Sequence, residues 1–173
     1  MSAPEFSRPI KARALPEAAV DLQANDTECA ALAARFGISS IVSLVARVSL
    51  DHRGKAVHGE GKLAADIVQT CAISGEDFPV HIEEPIAVRF VPEGAPPETP
   101  EIEIELDASE LDEIEYSGDS FDLGEAVAQT LGLAIDPYAE GPDADAARKK
   151  AGIVTDDAPS GALAEALAAF KKG

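Results

Sequence analysis

The sequence has no tryptophan, one methionine and two cysteines, and its 14 Lys and Arg stand against 32 Asp and Glu, which gives a formal charge of −18. Two cysteines, Cys29 and Cys71, are too few for a disulfide framework or for most of a zinc site. The shortage of cations argues against binding to bare nucleic acid or to an anionic membrane surface, because both need clustered Lys and Arg. We find no signal peptide and no long apolar run, so we expect a cytoplasmic protein with reduced thiols and no membrane contact.

The acidic charge is concentrated in one part of the chain. No Lys or Arg lies between Arg89 and Arg148, and residues 90–147 hold 17 of the 32 acids. The remainder is nearly balanced in charge, so a limited RNA contact stays open although it is not favoured. Its candidate residues are Arg8, Lys11, Arg13, Arg47, Arg53, Lys55, Lys62 and Arg89.

Two amphipathic helices are predicted from N-cap residues followed by apolar residues at helical spacing. Asn25 or Asp26 is a good N-cap for a first helix over 26–36. Asp122 caps a second helix over 122–134. With 46% hydrophobic residues, the chain can bury these helices against a core.

From Ile38 onward the apolar period changes to two, which is typical of half-buried strands. The face predicted to be buried in the first strand holds Val42, Leu44, Ala46, Val48 and Leu50. Two further alternating runs end at Cys71 and Phe90. Turns at 51–55 and 74–77 separate the three strands, which indicates an antiparallel meander.

The acidic block contributes a further strand with one apolar and one acidic face. Glu101, Glu103 and Glu105 alternate with apolar residues, and the block continues through Asp112, Glu113 and Glu115. One interpretation is a solvated face whose charge blocks edge-to-edge aggregation. The other is that these six carboxylates bind a basic protein partner.

These elements predict an α+β fold with an antiparallel sheet of about five to seven strands and two or three helices. A barrel-like closed sheet is the alternative, because several consecutive strands have an apolar face that needs covering. We expect a single domain over 1–138 and a flexible arm over 139–159. A short amphipathic helix over 160–172 must dock on something, because a helix of that length is marginal alone.

The residues that carry chemistry match no motif. His52, His58 and His81 lie on strands or turns at no metal-ligand spacing, and exposed side chains are the simpler interpretation. A small-molecule or metal-dependent enzyme that uses Cys71 and His81 with carboxylates stays open as an alternative, although no Cys-His signature is present. Buried packing as a small hydrophobe is the simpler role for each cysteine.

Several short motifs follow one another in a characteristic order. They are Val68-Gln69-Thr70-Cys71, Phe78-Pro79-Val80, Glu113-Ile114-Glu115-Tyr116, Asp122-Leu123-Gly124-Glu125, Leu133-Ala134-Ile135-Asp136-Pro137 and the terminal Phe170-Lys171-Lys172. In this order the chain resembles the YceD family, the large ribosomal RNA subunit accumulation proteins. The resemblance covers roughly residues 40–138 and the extreme C-terminus, and its motif residues include Cys71, Tyr116, Asp122, Leu123 and Pro137.

The resemblance implies a bacterial cytosolic protein that supports synthesis, processing or stability of large-subunit ribosomal RNA, and it implies no catalytic residue. Many members carry a second cysteine three residues after the first, where Ser74 stands here. We therefore expect no metal and no cofactor. We expect a ribosome-assembly factor that acts through a basic ribosomal or RNA-processing protein.

Overall fold

A computed structural model describes residues 4–95 and 112–152, together with 166, 167, 169 and 170. The predicted strand at 101–107 and its Glu101, Glu103 and Glu105 lie outside the described residues. In chain order the elements are β1 (Pro9–Lys11), β2 (Val20–Gln23), α1 (Asp26–Phe36), β3 (Ser40–Arg53), β4 (Ala56–Thr70), β5 (Asp77–Pro92), β6 (Asp112–Tyr116), β7 (Ser120–Asp122), α2 (Leu123–Ala134) and α3 (Ala144–Lys150).

The chain divides into two compact units. The first unit comprises Met1–Gln69 and Pro79–Asp136, and the second comprises Thr70–Phe78 and Pro137–Gly173. The second unit contains α3, which the sequence analysis did not predict because its residues have no periodic apolar face. Its alanine-rich sequence nevertheless has a high helix propensity. The predicted boundaries of domain, arm and docking helix stay predictions.

The larger sheet has the strand order β2-β3-β4-β5-β6. β3 pairs antiparallel with β2 and with β4, whereas β5 pairs parallel with β6. The predicted α+β class is confirmed. The predicted antiparallel pairing holds for β2–β3 and β3–β4 but not for β5–β6, so the sheet is mixed. The long connection between Pro92 and Asp112 allows the parallel pair, because such a pair needs a crossover and not a hairpin. Among the described strands the sheet stays open, so the barrel-like alternative is wrong.

The loop of the β3–β4 hairpin is shorter than the turn predicted over 51–55, and the paired strands are correspondingly longer. Its register pairs Arg53 with Ala56, which leaves a two-residue loop. Gly54 has φ 64°, a conformation that favours glycine in such loops. Cross-strand pairing therefore continues to the tip of the hairpin.

A register shift between Ile41 and Ser43 changes which side chains of β3 face the core. Ile41 is buried and Val42 is 67% exposed, so the prediction that Val42 shares the buried face is wrong. A bulge inserts one extra residue into the strand, so the side chains before it lie on the opposite side of the sheet from the one that strict alternation predicts. Leu44, Ala46 and Val48 are buried as predicted.

Both predicted helices are confirmed and pack into the core of the first unit. Asn25 caps α1, with its side chain accepting from the backbone N–H of Glu28, which in turn accepts from the Asn25 N–H. The carboxylate of Asp122 accepts from the backbone N–H of Glu125 and so caps α2. Leu123 and Leu131 of α2 are fully buried.

Candidate partner-binding surface

The acidic residues proposed to bind a partner are partly described. Asp112, Glu113 and Glu115 all lie on β6, which ends the strand order of the sheet among the described strands, and all three are exposed. Because side chains alternate along a strand, Asp112 lies on one face of β6 while Glu113 and Glu115 lie on the other. The predicted acidic group therefore extends over two faces of one strand.

The parallel register with β5 decides which of these carboxylates are compensated. Arg89 stands opposite Glu113, and the guanidinium and carboxylate form an ion pair of 3.0 Å. Val88 stands opposite Asp112 and offers no charge. The carboxylate of Glu113 is therefore compensated on the outer face of β6, whereas the exposed carboxylate of Asp112 lies beside apolar residues.

A cleft of about 190 Å³ opens between β6 and α2. Its floor is apolar and is formed by Val88, Ile114 and Ala126. Leu133 at the rim is 79% exposed, and Asp112 and Glu113 also line the cleft. Two polar side chains of α2 in the lining, Gln129 and Thr130, donate to acceptors within the same helix. The cleft therefore presents apolar surface and negative charge.

The carboxyl end of α2 adds to this negative potential. The last turn of α2 has no basic residue, whereas α1 ends with Arg35 and α3 with three cations. The carbonyl end of a helix carries a partial negative charge that a cation stabilises. Here that charge is left without a cation in the helix itself.

A larger groove of about 400 Å³ lies on the outer face of the sheet. Val45 and Ala64 lie in it, and charged residues of both signs surround them, Asp21 and Glu83 against Arg47 and Lys62. Because the charges balance, this groove has no preference for a partner of either sign.

Most arginines of the candidate RNA-binding set are paired with carboxylates. The pairs are Arg8–Glu28 at 2.7 Å, Arg47–Asp21 at 3.6 Å, Arg53–Glu60 at 3.4 Å and Arg89–Glu113 at 3.0 Å. Lys11, Arg13, Lys55 and Lys62 show no ion pair within the described ranges. The set therefore offers less uncompensated charge than its composition implied.

His81 lies in an exposed polar cluster of the first unit. Its Nδ1 lies 2.6 Å from Asp66 and its Nε2 lies 3.6 Å from Glu83. The hydrogen bond to Asp66, supported by Glu83, raises the pKa of His81, and the same bond lowers the pKa of Asp66, with help from the Ser43 hydroxyl. Both imidazole nitrogens are thus directed at carboxylates, which leaves neither to activate a thiol.

Cys71 lies in a turn of the second unit. Its Sγ accepts from the backbone N–H groups of Ile73 at 3.4 Å and Ser74 at 3.3 Å. Hydrogen bonds from the Ser74 side chain and backbone, followed by that of Gly141, lower the pKa of Cys71 to about 7. Burial instead raises the pKa of Cys29. In the described part of the chain, no group of three or more His, Cys, Asp or Glu is placed to hold a metal ion.

The other motif residues have structural contacts. Tyr116 packs on Phe121 with ring centroids 5.8 Å apart, and Leu123 is fully buried. Asp122 is the N-cap of α2, and Pro137 follows that helix. The order of motifs therefore reports the fold more than a reactive centre.

The sequence analysis placed Leu133 in a family motif but not in a binding surface. On α2 it lies at the edge of the buried stripe, seven residues after the buried Ala126, and it is itself exposed. An apolar residue at the edge of the stripe in the last turn was the available signal, since it predicts either solvent exposure or a contact with something else.

These features define an acidic α+β protein with a surface cleft that combines apolar and acidic lining. The family described as large ribosomal RNA subunit accumulation protein YceD matches residues 59–168, which is more than half of the chain, and the protein belongs to this family. No curated protein and no solved structure matches the chain. None of the described helices is both long and apolar enough to cross a membrane.

Proposed function

We propose that the protein supports ribosome assembly without catalysis, by holding a basic ribosomal or RNA-processing protein on the acidic surface of β6. The family description gives the accumulation of large-subunit ribosomal RNA as the biological outcome. The observation that carries the molecular proposal is the exposure of Asp112, Glu113 and Glu115 on β6, the last in order of the described strands, within a stretch of 58 residues without Lys or Arg.

Charge favours a protein partner over RNA. Carboxylates repel phosphate and attract Lys- and Arg-rich surfaces, and this attraction raises association rates and weakens with salt. The arginines of the balanced remainder are largely engaged by Asp and Glu of the same chain. Basic proteins of the large subunit supply the complementary charge.

An enzyme is the less favoured class. The pair needed for a Cys-His nucleophile requires a histidine nitrogen within hydrogen-bond reach of the thiol. The described partners of His81 are Asp66 and Glu83, and those of Cys71 are backbone and Ser74 groups.

Affinity capture from extract of the native cells tests the partner. D112N/E115Q removes two exposed carboxylates and leaves the Glu113–Arg89 pair in place. D51N/E60Q removes two exposed carboxylates from the β3–β4 hairpin, both ion-paired with Arg53, and controls for the same change in net charge. Wild type and the control should retain a large-subunit protein at low salt, and the first variant should lose most of it. Equal retention by all three, or no large-subunit protein with wild type, would contradict the proposal.

The biological role is tested by depletion. Loss of the protein should lower mature large-subunit RNA relative to small-subunit RNA and leave precursor particles in ribosome profiles. Wild-type protein should restore the profile, and D112N/E115Q should restore it less than D51N/E60Q. Unchanged profiles after depletion would overturn the proposed role.

A further inference from the structure

We infer that the cleft between β6 and α2 receives a single aliphatic side chain from a Lys- and Arg-rich segment of the partner, whose cations lie over the acidic rim. This inference rests on the proposed function and names the chemistry of the segment that is held. It requires a specific contact in addition to general charge attraction.

The floor of the cleft is apolar and rigid. Val88 and Ala126 in its floor are buried, and Ile114 is half-buried, so the floor belongs to the packed core and is held in place. Leu133 at the rim is 79% exposed and extends this apolar surface into solvent. An aliphatic group that enters the cleft removes its own apolar surface from water together with that of Leu133, whereas Val88 and Ala126 are already buried.

The charge around the apolar floor of the cleft is negative. Asp112 and Glu113 line the cleft, and among the described lining residues there is no Lys or Arg. Glu113 is paired with Arg89 at 3.0 Å, so the uncompensated carboxylate at the rim is that of Asp112. The carboxyl end of α2, which has no basic residue in its last turn, lies in the same region as Leu133. Cationic residues on either side of the inserted side chain are therefore favoured, because the carboxylate of Asp112 and the carboxyl end of α2 attract cations and repel anions.

The same features select a protein segment over a nucleic acid. A nucleic acid would bring a phosphate with each nucleotide to the acidic rim, and the described lining of the cleft offers no aromatic ring on which a base could stack. A Lys-rich segment with one Leu or Ile satisfies both the floor and the rim.

Synthetic peptides test the inference directly. The probes are a twelve-residue Lys- and Arg-rich peptide with one central Leu, the same peptide with Ser in its place, and a single-stranded RNA of similar length. Binding to full-length protein is measured by calorimetry and by amide chemical shifts. The Leu peptide should bind about tenfold or more tightly than the Ser peptide, because burial of one aliphatic side chain contributes at least that factor.

Variants locate the contact. L133S should reduce the Leu peptide to the affinity of the Ser peptide, whereas V42S should change nothing, since Val42 is comparably exposed on β3. D112N should weaken both peptides by a similar factor. Both leucine and valine positions are solvent-exposed, so unchanged melting temperatures of L133S and V42S confirm that the fold is retained.

Three results would overturn the inference: equal binding of the two peptides, equal loss in L133S and V42S, or RNA binding that L133S abolishes. The outcome is separable from that of the proposed function. If the native partner is lost from D112N/E115Q but retained by L133S, the acidic surface binds it and the cleft does not. If no large-subunit protein is captured at all, the proposed function fails whatever the peptides do.

Discussion

Replacing Asp122 by Ala should lower the stability of the first unit substantially, because one carboxylate serves two elements far apart in sequence. Its Oδ1 accepts from the backbone N–H of Glu125 at 3.1 Å and of Arg8 at 2.7 Å, and its Oδ2 accepts from the Ser7 hydroxyl at 2.6 Å. The side chain therefore caps α2 and fixes the chain just before β1.

The magnitude follows from these contacts. Loss of an N-cap costs about 1 kcal/mol, and a partly buried hydrogen bond to a charged acceptor contributes about 1.5–3 kcal/mol. Since the contacts share one group and are not additive, we expect D122A to lower the free energy of unfolding by about 2–4 kcal/mol. With a urea slope of about 2 kcal/mol per molar, the unfolding midpoint falls by about 1–2 M.

Two further variants make the experiment specific. D122N keeps an acceptor for the two N–H groups, and its amide can donate to the Ser7 oxygen, so it should lose about 1 kcal/mol or less, consistent with Asn being as good an N-cap as Asp. D119A changes an exposed neighbour whose backbone carbonyl, which binds Ala12, is unaffected. Urea unfolding monitored by far-UV circular dichroism gives all three values. The reasoning is refuted if D122A matches D119A, or if D122N loses as much as D122A.

Three other predictions concern separate sites. G61A should be severely destabilising, because a Cβ there would lie 1.9 Å from the Arg47 carbonyl oxygen. G59A should cost less, because its Cβ would meet the more adaptable Val88 side chain at 3.0 Å. Chemical unfolding of both variants measures the difference in stability. Cys71 is buried, so its ionisation is best followed by thiolate absorbance and not by reagent access: in a C29S background this absorbance should rise with a midpoint near pH 7. S74A should move that midpoint upward because the principal hydrogen bond to the thiolate is lost, and an unchanged midpoint contradicts this assignment. The pKa of His81, measured by NMR, should lie above its usual value and return toward that value in D66N. Because the pKa is raised in the folded state, the stabilisation from His81 is complete below its unfolded-state pKa and is lost as pH rises through its folded-state pKa. A downward shift of this pKa in the wild type would refute the pairing with Asp66.

The parts of the fold that depend on neighbours in sequence were predictable. Helix α1 was predicted with its observed bounds, because its N-cap, apolar spacing and terminal glycine all lie within a dozen residues. The alternation of β3 was predictable for the same reason, up to the bulge at Ile41 and Ser43, which leaves no mark in the pattern of residue types.

The parts that depend on distant segments were not predictable. The parallel pairing of β5 with β6 depends on the path of a long connection. The cleft depends on that pairing, since only this register places Asp112 opposite Val88 and beside α2. The sequence could therefore nominate the acidic residues, but it could not show that an apolar floor lies beside them.

The pairing of β1 with β7 has a consequence for the order in which the protein forms during its own synthesis. Ile10 leaves the ribosome early, but its cross-strand neighbour Phe121 follows more than a hundred residues later. Until then Phe6, which is fully buried in the folded protein, lacks its close neighbour Gly124. The first unit therefore closes late, by a non-local contact of the kind that slows folding. A nascent chain stalled before residue 120 should expose this N-terminal segment to proteases and chaperones.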